Sequence, residues 1–166
     1  MELADYSLAE LSVKDELDRL VKDGFFTPKE ASGVYVERLN AFFSSEFYLR
    51  MKNSDEIMRE KKFLVAMKDI AVDDKYSGIT GEDGMIQGIA DCVFKEDDGY
   101  VIVDYKTDNF KDESDMDKYG TQLEFYKAAL EIVLGQEREN GTIEKANIKS
   151  CYIYSFRLGK GKEFVL

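Results

Sequence analysis

The stretch that most constrains this chain runs from Gly88 to Asp108: Gly-Ile-Ala-Asp-Cys-Val-Phe, a polar Lys-Glu-Asp-Asp-Gly break, then Tyr-Val-Ile-Val-Asp-Tyr-Lys-Thr-Asp. Two apolar runs around the tight-turn signal Asp97-Asp98-Gly99 predict a β-hairpin. Each run is interrupted by an aspartate, Asp91 in the first and Asp104 in the second. A carboxylate in a buried strand is costly unless it is paired or holds a cation, so the two together point to a divalent metal. Asp104 and Lys106 are two apart in a strand, which sends both side chains to one face and Tyr105 to the other. Hard carboxylate oxygens beside an ammonium suit metal-assisted phosphodiester hydrolysis, with the lysine positioning water or neutralising developing charge. The same spacing also fits a plain surface ion pair, worth at most about 1 kcal/mol, and on spacing alone that plain pairing is favoured.

The flanking sequence predicts where the hairpin sits. Residues 7–52 carry helical signals: Ser12 with Asp15 as a cap, Leu17, Leu20 and Val21 on one side, and Gly24 as a stop. Thr27-Pro28-x-Glu30 starts a second helix with Val34, Leu39, Phe42 and Phe43 as its apolar side. Ser44 or Ser45 caps a short third one bearing Phe47 and Tyr48. From about residue 57 the period is two. In Met58 to Met67, Phe63, Val65 and Met67 share one face, which leaves Glu60 with Leu64 and Ala66 on the other. Strands near 85–95 and 100–107 follow, then a helix from after Ser114 to Gly135 with Leu123, Tyr126, Leu130 and Val133 as its buried stripe. A strand at 147–156 and a further one from Lys162 to Leu166 complete an order of three helices, three strands, a helix, and one or two strands.

Size and charge limit the function classes. At 166 residues and 19.0 kDa, with 44% hydrophobic residues, the chain fits one domain with a real core. It has neither a signal peptide nor a run long enough to cross a membrane, so a cytoplasmic location is expected and no membrane partner. Cys92 and Cys151 lie in apolar runs and read as core thiols. A formal charge of −11 argues against a nucleic-acid binder held by bulk positive charge. Basic residues nonetheless outnumber acidic ones between Arg50 and Lys68 and again between Arg138 and Lys162, which leaves local patches open beside ordinary solvated faces. Gly159-Lys160-Gly161-Lys162 lacks the spacing of a phosphate loop and reads as a hairpin turn, so no ATP site is expected here.

Taken together, Asp91, the turn, hydrophobic-Asp104-x-Lys106 and an upstream strand glutamate resemble the PD-(D/E)xK nuclease superfamily. Gly88-Ile-Ala-Asp91-Cys-Val-Phe, Val103-Asp104-Tyr-Lys106-Thr-Asp108 and Tyr119-x-x-Gln122-Leu-x-x-Tyr126-x-x-Ala129-Leu130 resemble its RecB-type nuclease domains. Ile-x-Asp-Cys-x-Phe and Arg59-Glu60-Lys61-x-Phe63 are most similar to the C-terminal nuclease domains of AddA-type helicase-nuclease subunits. The resemblance implies an α/β fold: a restriction-endonuclease-like core, a mixed central sheet flanked by helices, over 57–166, behind an N-terminal helical part over 1–52. It implies Glu60, Asp91 and Asp104 as metal ligands with the Tyr105 backbone carbonyl as a further oxygen, Lys106 as the catalytic lysine, and Gln122 and Tyr126 as groups supporting the site or touching DNA. Glu60 also fits a surface strand glutamate paired with Lys62, and Tyr126 a core aromatic. The implied cofactor is Mg2+, with Mn2+ as a substitute. The implied partners are DNA, a helicase region of the same chain and a second, AddB-like subunit, with a role in double-strand break repair and recombination. The alternatives are a non-catalytic DNA-binding or scaffold domain of the same fold and a stand-alone endonuclease of the superfamily. One departure stands out. RecB-type domains carry a metal-site histidine on an upstream helix, whereas this sequence has no histidine, and the expectation is that it lies in a longer parent chain of which these residues are a fragment.

Overall fold

Capping side chains set where the N-terminal part is cut into helices. In the computed structural model, which describes residues 3–70, 84–139 and 141–166, this part forms α1 (Tyr6–Leu11), α2 (Val13–Lys22), α3 (Pro28–Ser32), α4 (Val36–Phe43) and α5 (Glu46–Lys52). The sequence pattern predicts three helices; the first starts at the Ser12 cap as expected but is preceded by the additional α1, and the second is split into α3 and α4. Ser12 has extended backbone that ends α1, while its side chain accepts from Asp15 N and opens α2. The capping box at Thr27 and Glu30 forms as expected, but α3 stops at Gly33 and the chain restarts as α4 after Tyr35. Ser45, rather than Ser44, caps α5 by accepting from Tyr48 N. Buried Glu16 ties α2 to the start of α1: its carboxylate accepts from Asp5 N and from Arg19 Nε, both at 2.8 Å.

The strands are β1 (Glu56–Ala66), β2 (Met85–Glu96), β3 (Gly99–Lys106), a short pair β4 (Gln136–Glu137) and β5 (Ile143–Glu144), β6 (Ile148–Ser155) and β7 (Lys160–Phe164). The main sheet has the order β1-β2-β3-β6-β7. All its neighbours are antiparallel except β3 and β6, which run parallel. That parallel step needs a crossover, supplied by a 3-10 segment (Glu113–Tyr119) and α6 (Gly120–Val133). The predicted helix thus begins as a tighter turn. The β4–β5 pair has no sequence expectation behind it. β6 and β7 form a hairpin, but its turn is 156–159, ending at Gly159 with φ 66, so Lys160–Lys162, expected in the turn, instead open β7.

The mixed sheet lies between two cores. On one face, α6 brings Leu123, Ala129 and Leu130 onto Phe63, Val65, Ala90, Val93, Ile102 and Ile153. On the other, the N-terminal helices bring Phe42, Phe43, Tyr48 and Met51 onto Cys92, Phe94, Val101, Val103, Tyr154 and Phe156. Phe42 is fully enclosed, with ring neighbours at 5.0 Å (Tyr154), 5.5 Å (Phe156) and 5.6 Å (Tyr105). Both cysteines are buried and free, and burial pushes each thiol up to about 12. Among the described residues no helix is long and apolar enough to cross a membrane.

Two contacts hold this frame at identifiable points. A Cβ added at Gly88 on β2 would lie 2.4 Å from the Phe63 ring, which is itself wedged edge-on against Tyr126 at 5.1 Å. Gly88→Ala is therefore expected to destabilise by about 1–3 kcal/mol through overpacking, read as a lower midpoint in urea or thermal melting. At the far end of β2, Glu96 receives Arg50 Nε at 2.7 Å and Lys149 Nζ at 2.7 Å, and Arg50 Nη1 also donates to Tyr152 Oη. The Arg50 hydrogen bond, helped by Lys149, holds the Glu96 carboxyl down from 4.5 to about 2. The unfolded chain takes up that proton first, so the contribution is complete above pH 4.5 and is lost as pH falls toward 2. Glu96→Gln should lower stability at neutral pH and flatten the melting-against-pH curve in that window; an unchanged acid slope would count against the network.

Candidate active site

The strand registers build a row of three acidic residues. In β1 and β2, Arg59 faces Cys92 and Lys61 faces Ala90, so Glu60 stands opposite Asp91. In β2 and β3 the ladder runs from Glu96 with Gly99 to Cys92 with Val103, and its next step sets Asp91 opposite Asp104. Regular pairing breaks off at this row. Glu60 has φ 51, the one non-glycine positive φ among the described residues, a left-handed conformation costly for a residue with a side chain and concentrated at functional sites. Asp91, half-buried, accepts a hydrogen bond from Tyr105 N at 2.8 Å through Oδ2.

The kink changes which side chains share a face. Met58 and Phe63 both belong to the α6 side although one is even-numbered and the other odd, so alternation in β1 slips once between them. The expected grouping of Glu60 with Leu64 and Ala66 by simple parity does not survive that slip. Leu64 is exposed, and Met67 leaves the strand for a 3-10 turn (Met67–Asp69). In β2, Ala90 and Val93 face α6 while Cys92 and Phe94 face the N-terminal helices, a slip at the same row. Alternation from Cys92 puts Asp91 on the α6 side.

Asp104 and Lys106 share that side, as their spacing requires, and are no surface pair. Asp104 is 4% exposed. Lys106 Nζ lies 2.6 Å from its Oδ2, yet Oδ2 is fully enclosed and accepts no well-directed hydrogen bond. Gln122 on α6 donates from Nε2 to Oδ1 at 3.4 Å. Burial raises the Asp104 carboxyl above its ordinary value; Lys106 opposes that rise, and Asp91 and Asp108 add to it. An enclosed carboxylate whose Oδ2 has only the Lys106 ammonium for a partner, charge-coupled to a second carboxylate one strand away, has the hard-donor chemistry of a divalent cation site. Tyr105 contributes through its backbone. In a strand the N–H and C=O of one residue point to the same neighbour, so the Tyr105 carbonyl is directed to the Asp91 side.

The site has two further members. Lys106 Nζ lies 4.3 Å from the Tyr119 ring centroid, and Tyr119 Oη donates to Asp108 Oδ1 at 2.7 Å, which also receives Lys118 at 3.5 Å. A cation over an aromatic face is stabilised when partly desolvated, so Tyr119 and Asp104 hold the ammonium from two sides. The Tyr119 to Gln122 spacing of three within one helical stretch was the available signal. Tyr126, grouped with Gln122 by spacing, packs on Phe63 and belongs to the core on the α6 side. The structure thus brings together Asp91, Asp104, Lys106 and Gln122, with Glu60 next in the row. The carboxylates do not close into a cage: among the described residues no three acidic, cysteine or histidine side chains gather closely enough to hold a metal. Lys106 and the Tyr105 N–H instead engage the two aspartates.

The Asp91 contact has a direct consequence for stability. Asp91→Ala leaves Tyr105 N–H without its acceptor and should cost about 1–3 kcal/mol, whereas Asp91→Asn, which keeps an oxygen there, should recover most of the loss in the same melting experiment.

Known proteins are similar to this chain over most of its length. The description "PD-(D/E)XK nuclease superfamily" matches residues 3–162. The chain is similar to an ATP-dependent helicase/nuclease protein of Clostridium perfringens (strain 13), at 34% identity over 157 residues, 89% of this chain. It is similar also to the proteins of the same name from Clostridium kluyveri, 33% identical over 160 residues and 93% of this chain, and from Clostridium novyi, 31% identical over 167 residues and 94% of this chain. It spans 12% of the length of each of these relatives. With a family match over nearly its whole length, on a mixed sheet whose hairpin presents Asp91, Asp104 and Lys106 together, the chain belongs to the PD-(D/E)XK nuclease superfamily.

Proposed function

We propose that this domain hydrolyses DNA phosphodiesters with Mg2+, Mn2+ serving as a substitute, as the nuclease part of an AddAB-type helicase-nuclease in double-strand break processing. The observation that carries the proposal is the enclosed Asp104 carboxylate, one register step from Asp91 and 2.6 Å from Lys106. Asp91, Asp104, Glu60 and the Tyr105 carbonyl would hold the cation, which suits oxygen donors of this kind. When bound, such an ion polarises a phosphodiester and makes bound water more acidic. The remaining work falls to the chain's own groups. Gln122 orients the Asp104 carboxylate through Oδ1. Lys106, held between Asp104 and the Tyr119 ring, presents a partly desolvated ammonium to a phosphate oxygen or an attacking water, where charge stabilisation in a low-dielectric site is strong. The proposed partners are a helicase region in the same chain and a second, AddB-like subunit, and the proposed location is the cytoplasm; the names and greater lengths of the relatives support the helicase part.

A non-catalytic DNA-binding role on the same fold has one observation in its favour, the sequence without histidine. Asp104→Ala separates the two. In Mg2+ its nicking or degradation of DNA should fall by at least roughly 100-fold, while DNA affinity in Ca2+ stays within about twofold, because a cation-holding group matters to chemistry more than to backbone contacts. Cleavage at an unchanged rate would overturn the proposal.

A further inference from the structure

Asp108 stands outside the row of carboxylates, yet one side chain couples it to Lys106. It follows the end of β3 by two residues, and its Oδ1 accepts from Tyr119 Oη at 2.7 Å. The Tyr119 ring in turn lies against the Lys106 ammonium, its centroid 4.3 Å from Nζ. Carboxylate, phenol and ammonium thus form a chain that leads into the site from the crossover between β3 and α6.

The ring at the centre of this chain is anchored on buried residues. Phe110, 2% exposed, meets it at 6.1 Å and 72°. The Phe110 N–H donates to Asp108 O at 2.9 Å, and its carbonyl accepts from Arg157 Nε at 3.0 Å. Met116, on the 3-10 segment that carries Tyr119, is fully enclosed. The ring is therefore held at its root by that segment, from one side by Phe110 and at its tip by Asp108. Lys118 Nζ also reaches Asp108 Oδ1, at 3.5 Å, but its side chain is 58% exposed, and so open a pair contributes little. The Tyr119 hydrogen bond holds the Asp108 carboxyl below its ordinary value, so the acceptor is ionised at neutral pH. Lysine carries its charge on a flexible stem, and Asp104 has less attraction to offer the ammonium once its own charge is engaged by a cation. The face of Tyr119 keeps its attraction. A phenol that donates to a carboxylate is polarised by it, which strengthens the pull of the ring on a cation.

We propose that Asp108 is a positioning residue for Lys106: acting through the Tyr119 hydroxyl, it fixes the aromatic face that keeps the ammonium at the reacting phosphate; this rests on the nuclease reading above. The test uses the intact chain and variants checked for folding by melting. By NMR in metal-free buffer, the Lys106 ε-methylene protons should be shifted upfield by the Tyr119 ring, a shift that Tyr119→Leu abolishes and Asp108→Ala reduces. In cleavage of DNA in Mg2+, Tyr119→Leu should lower kcat about tenfold, the scale of a partly desolvated cation–π contact, with KM within about twofold. Asp108→Ala and Tyr119→Phe should each lower kcat about threefold, the scale of one hydrogen bond, and together no further, because both remove the same one. None of these changes should slow Lys106→Met further. A purely structural Asp108 lowers the melting point and leaves kcat and the Lys106 signal unmoved, and that result overturns the proposal. Multiplying losses in the double variant overturn it as well. Cleavage that is intact and insensitive to Asp108 and Tyr119 removes the positioning role alone. An unaltered chain that cuts no DNA in Mg2+ removes the nuclease reading, and the positioning role with it, even where the spectra show the ring contact.

Discussion

Tyr105 is the residue on which the arrangement of this site depends. Its side chain leaves β3 toward the N-terminal helices, where the ring meets Phe42 at 5.6 Å and Phe156 at 5.5 Å and the hydroxyl reaches Met51 Sδ at 3.5 Å. Strand alternation then commits Asp104 and Lys106 to the opposite face. Its N–H holds the Asp91 carboxylate, and its carbonyl points the same way. One side chain buried among aromatic rings thus sets the direction of two charged neighbours and the position of a third. The five N-terminal helices, remote from the chemistry in sequence, serve the site chiefly by supplying the aromatic cluster that anchors this residue.

The second constraint is electrostatic. Enclosing Asp104 disfavours its charge, and the nearby Asp91 and Asp108 disfavour it further. Lys106 is the compensation, close enough to matter at 2.6 Å yet still partly open to solvent. A buried pair of this kind adds little net stability, because desolvation offsets much of the attraction. On the proposed function its value would lie in poise: the ammonium is also braced by the Tyr119 ring, so exchanging Asp104 for a phosphate oxygen would not cost it all support. The same logic accounts for side chains that do not converge as a three-carboxylate cage. Like charges held near one another in low dielectric turn to whatever donors are at hand, here an ammonium and a backbone N–H.

Much of this was legible in the sequence because it follows from strand parity and turn chemistry. The Asp97-Asp98-Gly99 turn sets the β2–β3 register, and that register sets Asp91 opposite Asp104. The capping box at Thr27 and the helix carrying Gln122 are likewise local signals. What was not legible arises where local rules are broken by tertiary structure. The Ser12 cap marks the start of α2 as its sequence suggests, but the short α1 before it, opened by the Asp5 cap, has too few residues to show a period of its own. Glu60 lies at a backbone kink that shifts the alternation of its strand, and no composition signal marks it. Tyr126 obeys the spacing that suggested a place beside Gln122, but Phe63, pressed against Gly88, takes up its ring. Tyr119 was visible as part of a motif; its role under the lysine depends on where a 3-10 turn meets the end of β3.

The kink at Glu60 and the break of pairing at Asp91 are one feature. A regular ladder through this row would join β1, β2 and β3 by backbone hydrogen bonds and leave side chains alternating without interruption. The slip in β1 between Met58 and Phe63 and the slip in β2 between Ala90 and Cys92 occur at the same level, so the strands stay in register on both sides of the defect. The sheet therefore keeps its two cores intact, with Phe63 and Val65 filling one and Cys92 and Phe94 the other. At the single row where the pattern slips, the β1–β2 and β2–β3 registers are interrupted while β3 stays paired with β6, and acidic residues stand there in place of apolar ones. A left-handed glutamate costs on the order of 1–3 kcal/mol, a cost that the packed strands on either side can sustain and that an isolated hairpin could not.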